Sequence, residues 1–262
     1  MLRTVRVLAE NGPVRVELAH EDTPTSARLV VVKRLLGVHP TLERRLAREA
    51  EVAMKLDHPG VLPLLVERGG VLHYPYLPGP TLAEVLEQGP LPVARALHHA
   101  SLLLDALAYA HDLGIVHNDV KPANLVVRGD EIVLLDFGFA KDTGLAAITG
   151  PGVAMGTPNY MAPEQFEGGR SDPRSDLYGV AAVVYHAVTG APPYGRHVLR
   201  VLAGQRDIPL AAPRPLEGSL ERWLLRALEL DPRSRFPDAP TMRAALLDAR
   251  ALWRAEMRAS SP

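Results

Sequence analysis

The spacing of apolar residues changes period once along this chain, and that change limits the fold more than any other feature. Up to about residue 77 the pattern is mostly that of strands. Val14, Val16 and Leu18 alternate with Arg15 and Glu17, as in a half-buried strand. After a polar turn from His20 to Ser26, Leu29-Val30-Val31-Val32 forms a second strand candidate ending in Lys33. One helix interrupts: Leu42, Leu46, Ala50, Ala53 and Leu56 recur at three- and four-residue steps until Asp57-His58-Pro59-Gly60 stops them. Further strands are expected at Leu62 to Glu67 and Val71 to Tyr76. Pro75, Pro78, Gly79 and Pro80 then break the chain, which makes them the best candidate for a boundary or hinge.

Beyond the break the period is helical. Thr81-Leu82-Ala83-Glu84 has the form of a capping box. Leu91 to Leu113 reads as a long helix ended by Gly114. Further helices are expected over Ser175 to Thr189, Leu216 to Leu230, and Thr241 to about Met257, with short strands at Leu125 to Val127 and Ile132 to Leu135. Strands and helices are segregated along the chain, so the expected class is α+β, with a small strand-rich part and a larger helical one. No internal repeat is visible.

Composition removes several functions. The chain has 262 residues, of which 29 are Lys or Arg and 30 are Asp or Glu, so its net charge of -1 offers no broad basic field for nucleic acid or an anionic membrane. It has no Cys, which excludes disulfides, thiol nucleophiles and thiolate-bound metal. Apolar runs are far shorter than the ~20 residues that span a bilayer, and Arg3 and Arg6 stand where a signal peptide is apolar. A soluble cytoplasmic protein is the expectation.

The chemistry concentrates in His117-Asn118-Asp119-Val120-Lys121-Pro122-Ala123-Asn124, a loop between a long helix and a short strand, and in Asp136-Phe137-Gly138 after the next strand. Two oxygen ligands on neighbouring strand ends suit a hard cation such as Mg²⁺, whose other ligands are water and substrate phosphates. Taken singly, each of these residues reads as a solvated turn or surface residue. Together they resemble the catalytic loop and metal motif of the eukaryotic-like (Hanks-type) serine/threonine protein kinases found in bacteria. Val30-Val31-Val32-Lys33, Glu49 on the next helix, Gly156 to Glu164, Asp176, and Arg235 in Asp231-Pro232-Arg233-Ser234-Arg235-Phe236 extend the resemblance, in family order, from about residue 4 to residue 255.

The resemblance implies a bilobal protein kinase domain over 1–262: an antiparallel β-rich N-lobe (1–77) with one main helix, a hinge (75–80), and a mostly helical C-lobe (81–262). It implies ATP and Mg²⁺ as cofactors, with Asn124 and Asp136 as metal ligands. Asp119 takes the role of catalytic base, Lys121 steadies the transferred group, and Thr157 bridges the two. ATP contacts are implied for Leu8, Gly12, Val16, Val31, Lys33, Glu49, Tyr74, Pro75, Leu77, Val126 and Asp136. The Lys121-Pro122 pair and Thr157 point, within the family, to Ser or Thr acceptors on a protein. His117, Asp176 and the Arg235–Glu164 pair are implied scaffold, and His98-His99 is expected on a solvated edge.

Three departures from the family pattern bear on function. The glycine-rich loop aligns with Ala9 to Val16, where all three signature glycines are replaced and only Gly12 lies between them. A stiffer loop and weaker nucleotide handling are expected. Asn118 replaces the family's Arg, so activation-loop phosphorylation is not expected to be required, although Thr143 and Thr149 are available. The hinge reads Tyr74-Pro75-Tyr76-Leu77, with Tyr74 as a bulky residue closing the back pocket, Pro75 supplying a carbonyl and Leu77 an N–H to adenine. The alternative reading is a pseudokinase scaffold with weak or no turnover; a small-molecule kinase of the aminoglycoside phosphotransferase type is disfavoured by the complete Ala162-Pro163-Glu164 segment. Arg196, His197, Arg200 and Arg206 form a basic cluster read as a solvated face. The chain ends near the last expected helix, so regulation is expected in trans or through dimerisation, and the oligomeric state is not legible.

Overall fold

The computed structural model describes residues 2–22, 27–137, 158–166, 172–205, 207–208, 210 and 218–259. Five antiparallel strands, β1 (Leu2–Asn11), β2 (Val14–Asp22), β3 (Ala27–Leu35), β4 (Val66–Arg68) and β5 (Val71–Pro75), form one sheet in the order β1-β2-β3-β5-β4. Val16 lies opposite Lys33 and Leu18 opposite Val31, while Tyr74 and Leu72 lie opposite Val31 and Lys33 from the other side. With a side-chain period of two, these six residues share one face. Helix α1 (Pro40–Ala53) covers it, packing Leu46 and Ala50 on Leu72 and Tyr74.

The structure differs from the sequence reading at both ends of this sheet. Strand β1 carries no alternating signal, because all ten of its residues are exposed and two bulges interrupt its register with β2. Strand β4 is shorter than the expected Leu62 to Glu67, since Pro63 has no N–H to give a ladder. Between β1 and β2, Gly12 (φ 57) and Pro13 form a two-residue hairpin loop. Proline cannot take positive φ at the second position, so this is the type II′ turn with its glycine first. A tight hairpin therefore stands where the sequence aligns with the glycine-rich loop.

The helical part begins at Thr81, whose side chain accepts from the Glu84 N–H while the Glu84 carboxylate accepts from the Thr81 N–H, opening α2 (Leu82–Glu87). Helix α3 (Val93–Asp112) ends as the sequence predicts: Gly114 (φ 72) donates to the His111 carbonyl and Ile115 to that of Ala110, a Schellman closure. The hairpin β6 (Leu125–Arg128) and β7 (Glu131–Leu134) follows. Beyond it come α4 (Pro163–Phe166), α5 (Pro173–Thr189), α6 (Val198–Leu202), α7 (Gly218–Ala227) and α8 (Ala239–Ala259). Helix α5 is apolar nearly all round and buried as that pattern requires. Around it α3, α7 and α8 build the main core, with Leu104, Leu177, Tyr178, Trp223 and Met242 inside. No described helix is long and apolar enough to cross a membrane.

Two seams join the sheet to the helical part. The Leu62 N–H donates to the Leu134 carbonyl and the Leu134 N–H to that of Gly60. Val127 donates to Pro80, next to Gly79 (φ 146), where a Cβ would come within 2.5 Å of the Val127 carbonyl oxygen. Only glycine allows the connecting segment to lie this close to β6.

His99 corrects the sequence reading, since it is buried on α3 and not on a solvated edge. Among the described residues neither ring nitrogen has a partner at normal hydrogen-bond geometry. Burial, followed by the nearby Arg95 and His98 cations, pushes its pKa down to about 4. A histidine held neutral by folding favours the folded state above the ordinary pKa of 6.5 and loses that contribution as pH falls through 6.5 towards 4. Stability should drop by on the order of 2 kcal/mol over that interval, and the drop should flatten in His99→Leu. Urea unfolding at pH 7 and pH 4.5 measures it; equal slopes in both proteins would refute the assignment.

Candidate active site

Lys33, on the site face of β3, places its ammonium 2.8 and 2.9 Å from the two carboxylate oxygens of Glu49 and 2.9 Å from Asp136 Oδ1. Lys33 and Glu49 are almost fully buried, whereas the Asp136 side chain is 41% exposed. Burial alone disfavours the charged forms. For Lys33 the two carboxylates outweigh it and raise the ammonium pKa, so this group stays charged. Burial pushes the Glu49 carboxyl up, against the pull of the Lys33 charge. Tyr74 adds a second donor, its hydroxyl lying 3.0 Å from Glu49 Oε1.

A second group of side chains is built on the loop after α3. Asp119 Oδ2 accepts from Lys121 Nζ at 2.7 Å and from Asn124 Nδ2 at 3.0 Å. The same amide nitrogen donates to the Asp119 carbonyl at 2.8 Å. Since Nδ2 is spent on Asp119, Asn124 keeps its side-chain oxygen as an acceptor without a protein donor among the described residues. That oxygen and the half-exposed Asp136 carboxylate are hard donors of the kind that could serve Mg²⁺. Among the described residues no cluster of three or more His, Asp or Glu could hold a metal. Two oxygen donors fit a Mg²⁺ whose other ligands are water and phosphate.

Backbone ties hold the two groups to each other. The Leu135 N–H donates to the Asn124 carbonyl, and β6 and β7 pair Leu125 with Leu134. His117 is buried and bridges them: its Nε2 lies 2.8 Å from the Leu135 carbonyl, which can only accept, so Nε2 carries the proton. Nδ1 is then the acceptor for the Asp119 N–H at 3.1 Å. Phe137 packs edge-on against this ring, 4.8 Å between centroids. His117 is thus scaffold, as the resemblance implies.

Asn118 (φ 64) and Asp136 (φ 54) are the non-glycine residues with positive φ among those described. Both are of the types that tolerate this conformation best, and one stands in each loop. Asp176 pins the first: its carboxylate accepts from the Asn118 N–H at 2.7 Å and the His117 N–H at 2.8 Å. His111 Nε2 lies 2.9 Å from the same carboxylate, and Gln165 donates to the Asn118 carbonyl. A Cβ on Gly179 of α5 would meet Val120 Cβ at 2.9 Å, so glycine lets this loop lie directly on the helix. The roles of His111, Gln165 and Gly179 went unread in the sequence, for no local pattern marks them.

The remaining expected site residues fall as follows. Val16 and Val31 lie on the site face, Pro75 ends β5 opposite Val30, and Val126 is buried in β6. Leu8 sits at a β1 bulge and is 40% exposed. Leu77 follows β5 in the connecting segment, and Gly12 turns the hairpin. Thr143, Thr149, Thr157, Gly138 and Arg206 lie outside the described residues. Arg196 and Arg200 are exposed and His197 is half-buried.

The sequence profile of the family described as "Protein kinase domain" matches residues 17–242. Among curated proteins, the chain is 33% identical over 270 residues to the serine/threonine-protein kinase pkn2 of Myxococcus xanthus, covering 94% of this chain and 32% of that protein. It is 33% identical over 265 residues to the serine/threonine-protein kinase PknB of Mycobacterium tuberculosis, covering 92% of this chain and 41% of that one. The chain thus spans about a third to two fifths of the length of these relatives. Among solved structures, a point mutant of the Mycobacterium tuberculosis PknI kinase domain is similar with a TM-score of 0.72 at 30% identity, covering 95% of each chain.

Proposed function

The chain belongs to the protein kinase family, and from that premise we propose that it is an active enzyme that transfers the γ-phosphoryl group of ATP to Ser or Thr hydroxyls of a protein. One observation carries the reading: Lys33, Glu49 and Asp136 form one hydrogen-bonded group, Asp119, Lys121 and Asn124 form another, and each retains the residue type the reaction needs. Phosphoryl transfer asks a protein mainly for positioning and charge neutralisation. Lys33, oriented by Glu49, neutralises the α- and β-phosphates. Asn124 and Asp136 would hold Mg²⁺, which offsets charge on the leaving oxygen. Asp119 orients the acceptor hydroxyl and accepts its proton, and Lys121, 2.7 Å from Asp119, steadies the transferred group.

In this reading residues 1–77 are the N-lobe, 75–80 the hinge and 81–262 the C-lobe, with ATP in the cleft between. Tyr74 closes the back of that cleft, while the Pro75 carbonyl and the Leu77 N–H face adenine. Asn118, whose amide donates to the Val116 carbonyl at 3.3 Å, offers no cation to an activation-loop phosphate; in this reading activity does not depend on that phosphate.

A scaffold without turnover is favoured by one feature, the tight Gly12–Pro13 turn in place of a phosphate-covering loop. Radiolabelled ATP with Mg²⁺ and a generic basic protein separates the two. Label in Ser or Thr of the acceptor supports the enzyme; a Mg²⁺-ATP thermal shift without transferred label supports the scaffold.

A further inference from the structure

We propose that the Tyr74 hydroxyl is a positioning group for the reaction, tethering α1 to the sheet through Glu49. This rests on the kinase reading above and assigns a task beyond closing the back of the cleft. Tyr74 is on β5 and Lys33 on β3, with Val31 opposite Tyr74 and Leu72 opposite Lys33, so both side chains leave the same face beneath α1. Glu49 meets them there. Its Oε1 accepts from Lys33 Nζ at 2.8 Å and from the Tyr74 hydroxyl at 3.0 Å, and its Oε2 accepts from Lys33 at 2.9 Å. Helix α1 is therefore held at one carboxylate by donors from two strands.

The second tether matters because Lys33 is shared. Its ammonium also reaches Asp136 at 2.9 Å, so Lys33 alone could keep one carboxylate while releasing the other. Tyr74 has no second acceptor among the described residues. It is 5% exposed, packed among Leu46, Ala50 and Leu72, and its hydroxyl donates to Glu49. If α1 moved outward, the phenol would be left buried without an acceptor, which disfavours that state. Phenylalanine would fill the same volume and give no such bias. A second tether thus keeps α1 in the arrangement that lets Lys33 meet the phosphates, and part of the apparent ATP affinity follows from that population.

Tyr74→Phe should raise KM for ATP ~10-fold, the scale of a hydrogen bond to a charged group, with kcat at saturating ATP near wild type. Hydrogen–deuterium exchange should quicken in residues 40–53 while α3 stays protected. In a Glu49→Gln background the same substitution should add little, because the acceptor it serves is already weakened. An unchanged KM together with unchanged exchange in α1 would overturn the proposal, as would equal effects of Tyr74→Phe in both backgrounds. If wild type takes no Mg²⁺-ATP, the kinase reading fails and the exchange of α1 decides the tether by itself. Should Tyr74→Phe not fold, quickened α1 exchange in Glu49→Gln alone supports the tether, and unchanged exchange there refutes it.

Discussion

Asp119→Asn is expected to lower kcat by about 10²- to 10⁴-fold, the range for loss of a positioned general base, with Mg²⁺-ATP affinity nearly unchanged. The asymmetry follows from the contacts. An amide keeps one oxygen to accept from Lys121 or Asn124, so the loop retains its shape, but it cannot take a proton from the acceptor hydroxyl. The groups assigned to nucleotide and metal, Lys33, Asn124 and Asp136, are untouched. Steady-state transfer and a nucleotide titration on the same preparation measure both halves; a variant within tenfold of wild-type kcat would remove Asp119 from the mechanism.

Arg235→Ala should cost the fold about 3–5 kcal/mol, as expected when one partner of a buried ion pair is deleted. The guanidinium is wholly buried and grips Glu164 with two parallel hydrogen bonds, one terminal nitrogen to Oε1 at 2.7 Å and the other to Oε2 at 2.8 Å. Its remaining donors go to the carbonyls of Glu229, Arg174 and Leu230, so all five N–H groups are used. Removal leaves three carbonyls and a carboxylate short of donors. Glu164 then keeps the Ser175 hydroxyl at 2.7 Å but no cation among the described residues. Burial alone would raise the Glu164 pKa, but Arg235 holds it below the usual 4.5. The pair's contribution is therefore present above pH 4.5 and lost as pH falls through the lowered value. Arg235→Lys retains the charge with fewer donors and no planar fork, and should lose nearly as much. Urea unfolding tests both, and a loss under 1 kcal/mol in Arg235→Ala would contradict this account of the pair.

Much of this architecture was legible in the residues because local and tertiary preferences agree. Thr81 and Glu84 announce a helix start that forms as written, and Gly114 ends α3 by the expected closure. Motif order pointed to the residues that group: Lys33, Glu49 and Asp136 meet although Lys33 and Asp136 are 103 positions apart, and Asp119 and Asn124 meet on the loop after α3. What escaped has physical causes. An edge strand with every residue exposed, such as β1, bears no alternation to read. Beside Leu97 and Ala100, His99 is buried by its place on α3, which overrides its polarity. The Tyr74–Glu49 bond joins residues 25 apart in sequence, and His111 meets Asp176 across 65. Such pairs depend on how α1 and α5 dock, which no local window encodes.

The claim under everything else is that Lys33, Asn124 and Asp136 jointly hold a magnesium–triphosphate. Calorimetric titration of ATP into the wild-type chain, with and without Mg²⁺, and into Lys33→Met addresses it most directly. Saturable binding that needs Mg²⁺ and weakens at least ~10-fold in Lys33→Met, the loss of about one strong charge-assisted contact, is the expected result. Binding that ignores both the cation and Lys33, or no binding at millimolar ATP, would contradict it.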